Sequence, residues 1–125
     1  MRERTILYIE DNLGNQNLMR AIFETVDDWH LMISGTAEAG IDLSRTSQPD
    51  IILMDINLPG MSGCDALTVL KRDPLTSRIP ILAVTATRMQ CPEAESSQVR
   101  FDAVILKPFT RDELINPIKQ ALSAR

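Results

Sequence analysis

The chain has 125 residues, enough for one domain around a single core and too few for a second of ordinary size. With 44% hydrophobic and 24% charged residues its composition is globular, and no apolar stretch approaches the ~20 residues that span a bilayer, so membrane contact by this segment is not expected. A net charge of −4 lacks the excess of Lys and Arg that a nucleic-acid footprint needs, which argues against direct nucleic-acid binding.

Met1-Arg2-Glu3-Arg4 runs straight into a strand-like segment with no apolar leader, so a cytoplasmic address is expected. Thr5–Ile9 is a β-branched and aromatic run that stops at Glu10-Asp11-Asn12. The positions Leu18, Met19, Ile22, Phe23 and Val26 then recur at helical intervals and predict a first helix with one buried stripe. His30–Ser34 alternates weakly as a second strand, with the lone His30 in a packing or surface role, and Thr36 caps a modest helix over Ala37–Arg45. Ile51–Met54 and Ile56 form an apolar run that Asp55 alone interrupts. Bounded by Pro49 and Pro59, this run reads as a strand buried on both faces, with Asp55 where it leaves the core. Cys64–Arg72 follows as a helix burying Ala66, Leu67 and Leu70 and ended by Asp73-Pro74. Ile79–Thr85 is a fourth strand ending in a hydroxyl, and Ala103–Leu106 a fifth ending in Lys107-Pro108. Between them, Arg88–Arg100 is helix-length but carries only a thin apolar stripe. Thr110-x-x-Glu113 caps a last helix with Leu114, Ile115, Ile118 and Leu122 inward. Cys64 and Cys91 have neither zinc-site nor redox-pair spacing and read as reduced, inert thiols, while Phe109 and the methionines read as core.

Strands alternating with helices, without repeat or linker, predict an α/β sandwich over residues 1–125 with a parallel sheet wound on both sides. Ligands bind such sheets beyond the carboxyl ends of the strands, where strand order reverses. The residues at those ends are Glu10 and Asp11, Asp55, Thr85 and Lys107. Three adjacent carboxylates repel one another, and a hard divalent cation with oxygen ligands relieves the repulsion. Mg²⁺ fits best, with Asp11 and Asp55 as direct ligands and Glu10 acting through water. An Asp carboxylate can itself attack phosphorus, the new charge being shared by the metal and Lys107 while Thr85 donates to a phosphoryl oxygen. Taken singly, each residue also has an ordinary backbone role: Asp11 or Asn12 as a helix cap, Asp55 as a turn former, Thr85 as a strand residue and Lys107 as a surface lysine.

Over essentially its whole length the chain resembles the receiver domains of two-component response regulators, including chemotaxis-type regulators and the receivers of hybrid sensor histidine kinases. The resemblance rests on Glu10-Asp11, on Met54-Asp55 with Leu58-Pro59-Gly60-Met61-Ser62-Gly63, on Val84-Thr85-Ala86 and on Lys107-Pro108-Phe109, all in order. It implies a flavodoxin-like three-layer sandwich, a five-stranded parallel sheet of order 2-1-3-4-5 with five helices. It also implies that Asp55 accepts a phosphoryl group from a phosphohistidine on a sensor histidine kinase or histidine phosphotransfer protein. Mg²⁺ would be held by Glu10, Asp11, Asp55 and the main-chain carbonyl of Asn57, and the Lys107–Pro108 bond would be cis. The chain would promote only its own phosphorylation and dephosphorylation and would not be an enzyme in the metabolic sense. Two rival readings are a phosphorylation-independent interaction module and an aspartyl-phosphate hydrolase. The intact set of five residues speaks against the first, and Asn57 in place of a second Asp against the other.

Several positions depart from the family pattern. Val104 stands where many receivers carry an aromatic switch residue, Val99-Arg100 replaces a helix-ending Ala-Gly, and Pro117 inside the last helix predicts a kink or a restart capped by Asn116. All lie on the face that many receivers use to dimerise, so a monomer is expected. Asn57 and Thr87 match positions that tune phosphoryl lifetime in the family.

Overall fold

Neighbouring residues of a strand point to opposite faces, so a strand buried on both sides needs an apolar partner layer on each. The computed structural model describes residues 3–86 and 100–124 and supplies both layers. Its elements in chain order are β1 (Arg4–Ile9), α1 (Leu13–Phe23), β2 (Trp29–Ser34), α2 (Ala37–Ser47), β3 (Ile51–Met54), α3 (Gly63–Arg72), β4 (Ile81–Thr85), β5 (Ala103–Leu106) and α4 (Arg111–Ser123). The strands form one parallel sheet in the order β2-β1-β3-β4-β5. This is the expected flavodoxin-like arrangement, reversing direction between β1 and β3. Four helices lie among the described residues, and nearly all of the expected Arg88–Arg100 helix falls outside them.

Strand parity sorts the core into two layers. Ile6, Tyr8, Ile51, Leu53, Leu82, Val84 and Ile105 pack against Met19 and Phe23 of α1 and Leu114, Ile118 and Leu122 of α4. Leu7, Ile9, Ile52, Met54 and Ile81 pack against Ala37 and Ile41 of α2 and Ala66, Leu67 and Leu70 of α3. Each such side chain taken fully out of water contributes about 1.5–3 kcal/mol, and this apolar layering fixes where the strand ends fall.

Four side-chain caps set the helix starts: Asn12 on α1, Thr36 on α2, Ser62 on α3 and Thr110 on α4, the last with Glu113 in a capping box. Four expectations need correction. The first helix starts at Leu13, leaving Leu18 exposed rather than on the buried stripe. Of the kink or restart expected at Pro117, the restart at Asn116 does not occur: the last helix continues from Arg111 to Ser123 through Pro117, with Leu114, Ile115, Ile118 and Leu122 buried on both sides of it. Cys64 is disulfide-bonded rather than a reduced thiol, and Cys91 lies outside the described residues. The first part of the expected fourth strand, Ile79-Pro80, precedes β4, since proline offers no ladder donor. The Lys107–Pro108 bond is cis, as the resemblance implied.

Candidate functional site

Every residue singled out at a strand end lies at the carboxyl edge of the sheet. Glu10 and Asp11 follow β1, Asp55 follows β3, Thr85 closes β4 and Lys107 follows β5. Asp55 is fixed from two sides. Its amide donates to the Ile9 carbonyl at 3.1 Å, continuing the β1–β3 ladder by one residue, and its Oδ1 accepts the Asn57 amide at 3.1 Å. The chain then turns through Gly60, whose φ of 72° suits glycine, and returns to α3. There the Gly63 amide donates to the Ile56 carbonyl at 2.9 Å.

Glu10, Asp11 and Asp55 converge, each with a carboxylate oxygen within 4.8 Å of the others. Lys107 crosses to this cluster from the far edge strand, its Nζ 2.9 Å from Glu10 Oε1 and 3.9 Å from Asp55 Oδ2. Its amide donates to the Thr85 carbonyl at 2.8 Å, which ties the ends of β4 and β5 together. Thr85 is fully buried, while Asp11 and Asn57 are exposed at the rim. Asn57 meets the site through its amide. The structure therefore gathers Glu10, Asp11, Asp55 and Lys107 into one cluster, with the Thr85 carbonyl bound to the Lys107 amide and the Asn57 main-chain amide bound to the Asp55 side chain; Thr87 lies outside the described residues.

The two inner carboxylates behave differently. Burial pushes the Glu10 carboxyl up, but the Lys107 ammonium, the Asn12 amide and the Tyr8 hydroxyl outweigh it and hold Glu10 below its ordinary value. Burial also pushes Asp55 up, the charge of Glu10 adds to that, and the Asn57 amide and Lys107 do not fully compensate. Glu10 is thus the firmly ionised member, and Asp55 is the carboxylate whose charge is poorly matched by the protein alone.

Sequence reasoning missed the groups that surround Glu10. The Tyr8 hydroxyl and Asn15 Nδ2 both donate to Glu10 Oε1 at 3.1 Å, the Asn12 main-chain amide donates to Oε2 at 3.2 Å, and Gln16 Nε2 donates to the Glu10 carbonyl at 2.6 Å. The available signal was spacing: Tyr8 stands two residues before Glu10 on one face of β1, and Asn15 lies in the first turn of α1, directly above.

The donor set fits a hard divalent cation. Among the described residues, three carboxylates against one ammonium leave two uncompensated negative charges, and Mg²⁺ prefers oxygen ligands at about 2.0–2.1 Å while keeping several waters. Ligands on opposite sides of such an ion lie about 4.2 Å apart. A cluster spread within 4.8 Å therefore suits two direct carboxylates, with the third acting through water.

Residues 6–119 match the family model described as the response regulator receiver domain. The chain is 36% identical over 119 residues to the polar-differentiation response regulator DivK of Brucella anthropi, covering 95% of this chain and 96% of that one. Among solved structures it is similar to the receiver domain of the sensor histidine kinase PA1611 of Pseudomonas aeruginosa PAO1, with TM-score 0.86 and 26% identity over 97% of this chain and 98% of that one. That structure has a magnesium ion coordinated in its active site cleft. The chemotaxis response regulator CheY4 of Vibrio cholerae shares the fold at 16% identity, with TM-score 0.82 over 95% of this chain and 98% of the other.

Proposed function

Because this chain belongs to the response regulator receiver domain family, we propose that it is a phosphoacceptor switch that takes a phosphoryl group onto Asp55 in a Mg²⁺-dependent reaction. The supporting observation is the convergence of Glu10, Asp11, Asp55 and Lys107 at one sheet edge, where strand order reverses.

Asp55 is the nucleophile. One of its carboxylate oxygens attacks the phosphorus of a phosphohistidine on a sensor histidine kinase or histidine phosphotransfer protein. As the O–P bond forms the P–N bond breaks, and its electron pair returns to the imidazole. Asn57 donates to Oδ1 and holds the side-chain rotamer, while Lys107 stands near Oδ2 to meet the charge that arrives with the phosphoryl group. Thr85, at the end of β4, supplies a hydroxyl for a phosphoryl oxygen. Asp11 and Asp55 would hold Mg²⁺ directly, with Glu10 through water and the Asn57 carbonyl completing the protein ligands. The ion would supply charge neutralisation for the phosphoryl oxygens and lower the pKa of Asp55. Water later cleaves the acyl phosphate and releases inorganic phosphate, so the chain resets itself without a separate metabolic product.

Incubation with a small acyl phosphate and Mg²⁺, followed by intact-mass spectrometry, tests this. A single phosphoryl adduct that is lost in Asp55→Asn and on chelation is expected. A folded chain that acquires no phosphate, or one that turns over many equivalents without a trapped adduct, would overturn it.

A further inference from the structure

Tyr8 is the only tyrosine in the chain, and its side chain is 1% exposed between the sheet and α1. A buried phenol needs an acceptor, and many backbone carbonyls would serve. This hydroxyl instead donates to Glu10 Oε1, the same oxygen that accepts Asn15 Nδ2 at 3.1 Å and Lys107 Nζ at 2.9 Å. Among the described residues, three donors converge on Oε1, while Oε2 accepts the Asn12 backbone amide. Three donors exceed the two lone-pair directions of a carboxylate oxygen, so the bonds to Oε1 are shared rather than independent.

This sharing matters for Lys107. Its ammonium rests on Glu10 and stands 3.9 Å from Asp55 Oδ2. If phosphorylation of Asp55 draws Lys107 to a phosphoryl oxygen, Glu10, only 1% exposed, loses its direct ion pair and keeps at most a water-mediated contact with Mg²⁺. A buried carboxylate stripped of its partner is costly unless other donors already occupy it. Tyr8 and Asn15 are those donors: neither carries charge, and neither has to move.

We propose that Tyr8 is a positioning residue that keeps Glu10 Oε1 satisfied while Lys107 passes from Glu10 to the phosphorylated Asp55, so that its hydroxyl favours the phosphorylated state. This rests on the reading of Asp55 as phosphoacceptor. A phenol that merely satisfied itself in the core would affect folding stability and leave phosphoryl uptake alone. A phenol that holds Glu10 strengthens its own bond when Lys107 leaves, and its ring carbon bearing oxygen reports that directly.

The test uses the full chain with ¹³C-labelled tyrosine, which gives one phenol signal. Spectra are recorded with Mg²⁺ alone and with Mg²⁺ plus a small acyl phosphate, and uptake by Tyr8→Phe is measured in parallel. The expected result is a shift of the phenol signal on phosphorylation beyond that caused by Mg²⁺ alone. Steady-state phosphorylation of the folded Tyr8→Phe chain should be about tenfold lower, the scale of one hydrogen bond to a charged group. Equal phosphorylation of Tyr8→Phe and wild type, or an unmoved phenol signal in a phosphorylated wild type, overturns the role of Tyr8 and leaves Asp55 as acceptor. Absence of any adduct on wild type overturns both. Should Tyr8→Phe fail to fold, the wild-type phenol signal decides alone: a shift upholds the role and a fixed signal removes it.

Discussion

Gly63→Ala adds one methyl group where the chain carrying Asp55 passes closest to a helix. A Cβ at Gly63 would fall inside van der Waals contact of the Asp55 carbonyl oxygen and 2.8 Å from the Ile56 Cα. Carbon atoms rest about 3.5–4.0 Å apart, so the Asp55–Ile56 peptide has to withdraw by about 1 Å. It cannot do so freely. The Asp55 amide is bound to Ile9 at 3.1 Å and the Ile56 carbonyl to Gly63 at 2.9 Å, so both the ladder and the helix start are strained by the move. Overpacking of this kind costs about 1–3 kcal/mol, and the better helix propensity of alanine returns less than about 1 kcal/mol in a first turn. The net loss of about 1–2 kcal/mol lowers Tm by about 3–8 °C in a chain of this size. The same displacement moves Asp55 relative to Asp11 and Lys107, and a misplacement of about 1 Å lowers the rate of phosphoryl uptake about 100-fold. Thermal denaturation and initial uptake rates from a small acyl phosphate measure both effects, with Gly35→Ala as the control because nothing lies within 4 Å of its Cβ position. If Gly63→Ala matches Gly35→Ala in Tm and in rate, close approach at Gly63 is not what places Asp55.

Asp55→Asn keeps the shape and the Asn57 bond but removes a charge that burial disfavours, so in metal-free buffer at pH 7 its denaturation midpoint should lie above that of wild type. A carboxyl whose folded-state pKa is raised destabilises the fold only while ionised. The difference should therefore shrink as pH falls through that raised value and vanish below the ordinary 3.8; a midpoint difference that persists there would refute the assignment. For the same reason a proton competes with Mg²⁺ at Asp55. The Mg²⁺ dissociation constant, followed by amide NMR, should begin to rise on acidification at a pH above the ordinary carboxylate value and then increase about tenfold per pH unit, whereas a flat profile would place the metal elsewhere. Asp11→Asn, at the exposed rim, should weaken Mg²⁺ binding and phosphoryl uptake by at least about tenfold with Tm within about 2 °C of wild type, since no buried contact is lost. Unchanged uptake would remove Asp11 from the site.

The layers of the fold were legible because a parallel strand buried on both faces has few other readings, and Ile51–Met54 could hardly be anything else. The first helix was harder. Leu18 and Met19 differ by only 100° around it, so periodicity alone put both on the buried stripe, whereas packing admits Met19 and leaves Leu18 52% exposed. At the site the acids were visible because each ends a strand. Their partners were not, since Lys107 reaches Glu10 across 97 positions of sequence and Tyr8 looks like any strand aromatic. Asp55 carries a turn bond and a contact with the cluster at the same time. At the turn its Oδ1 accepts from the Asn57 amide, and toward the cluster its Oδ2 lies 3.9 Å from Lys107. A carboxylate has two oxygens, and the first bond fixes the rotamer that orients the second. The turn bond and the placement of Oδ2 are therefore linked: an Asn57 amide that could not reach Oδ1 would free the side chain to rotate, and Oδ2 would lose its fixed place beside the ammonium.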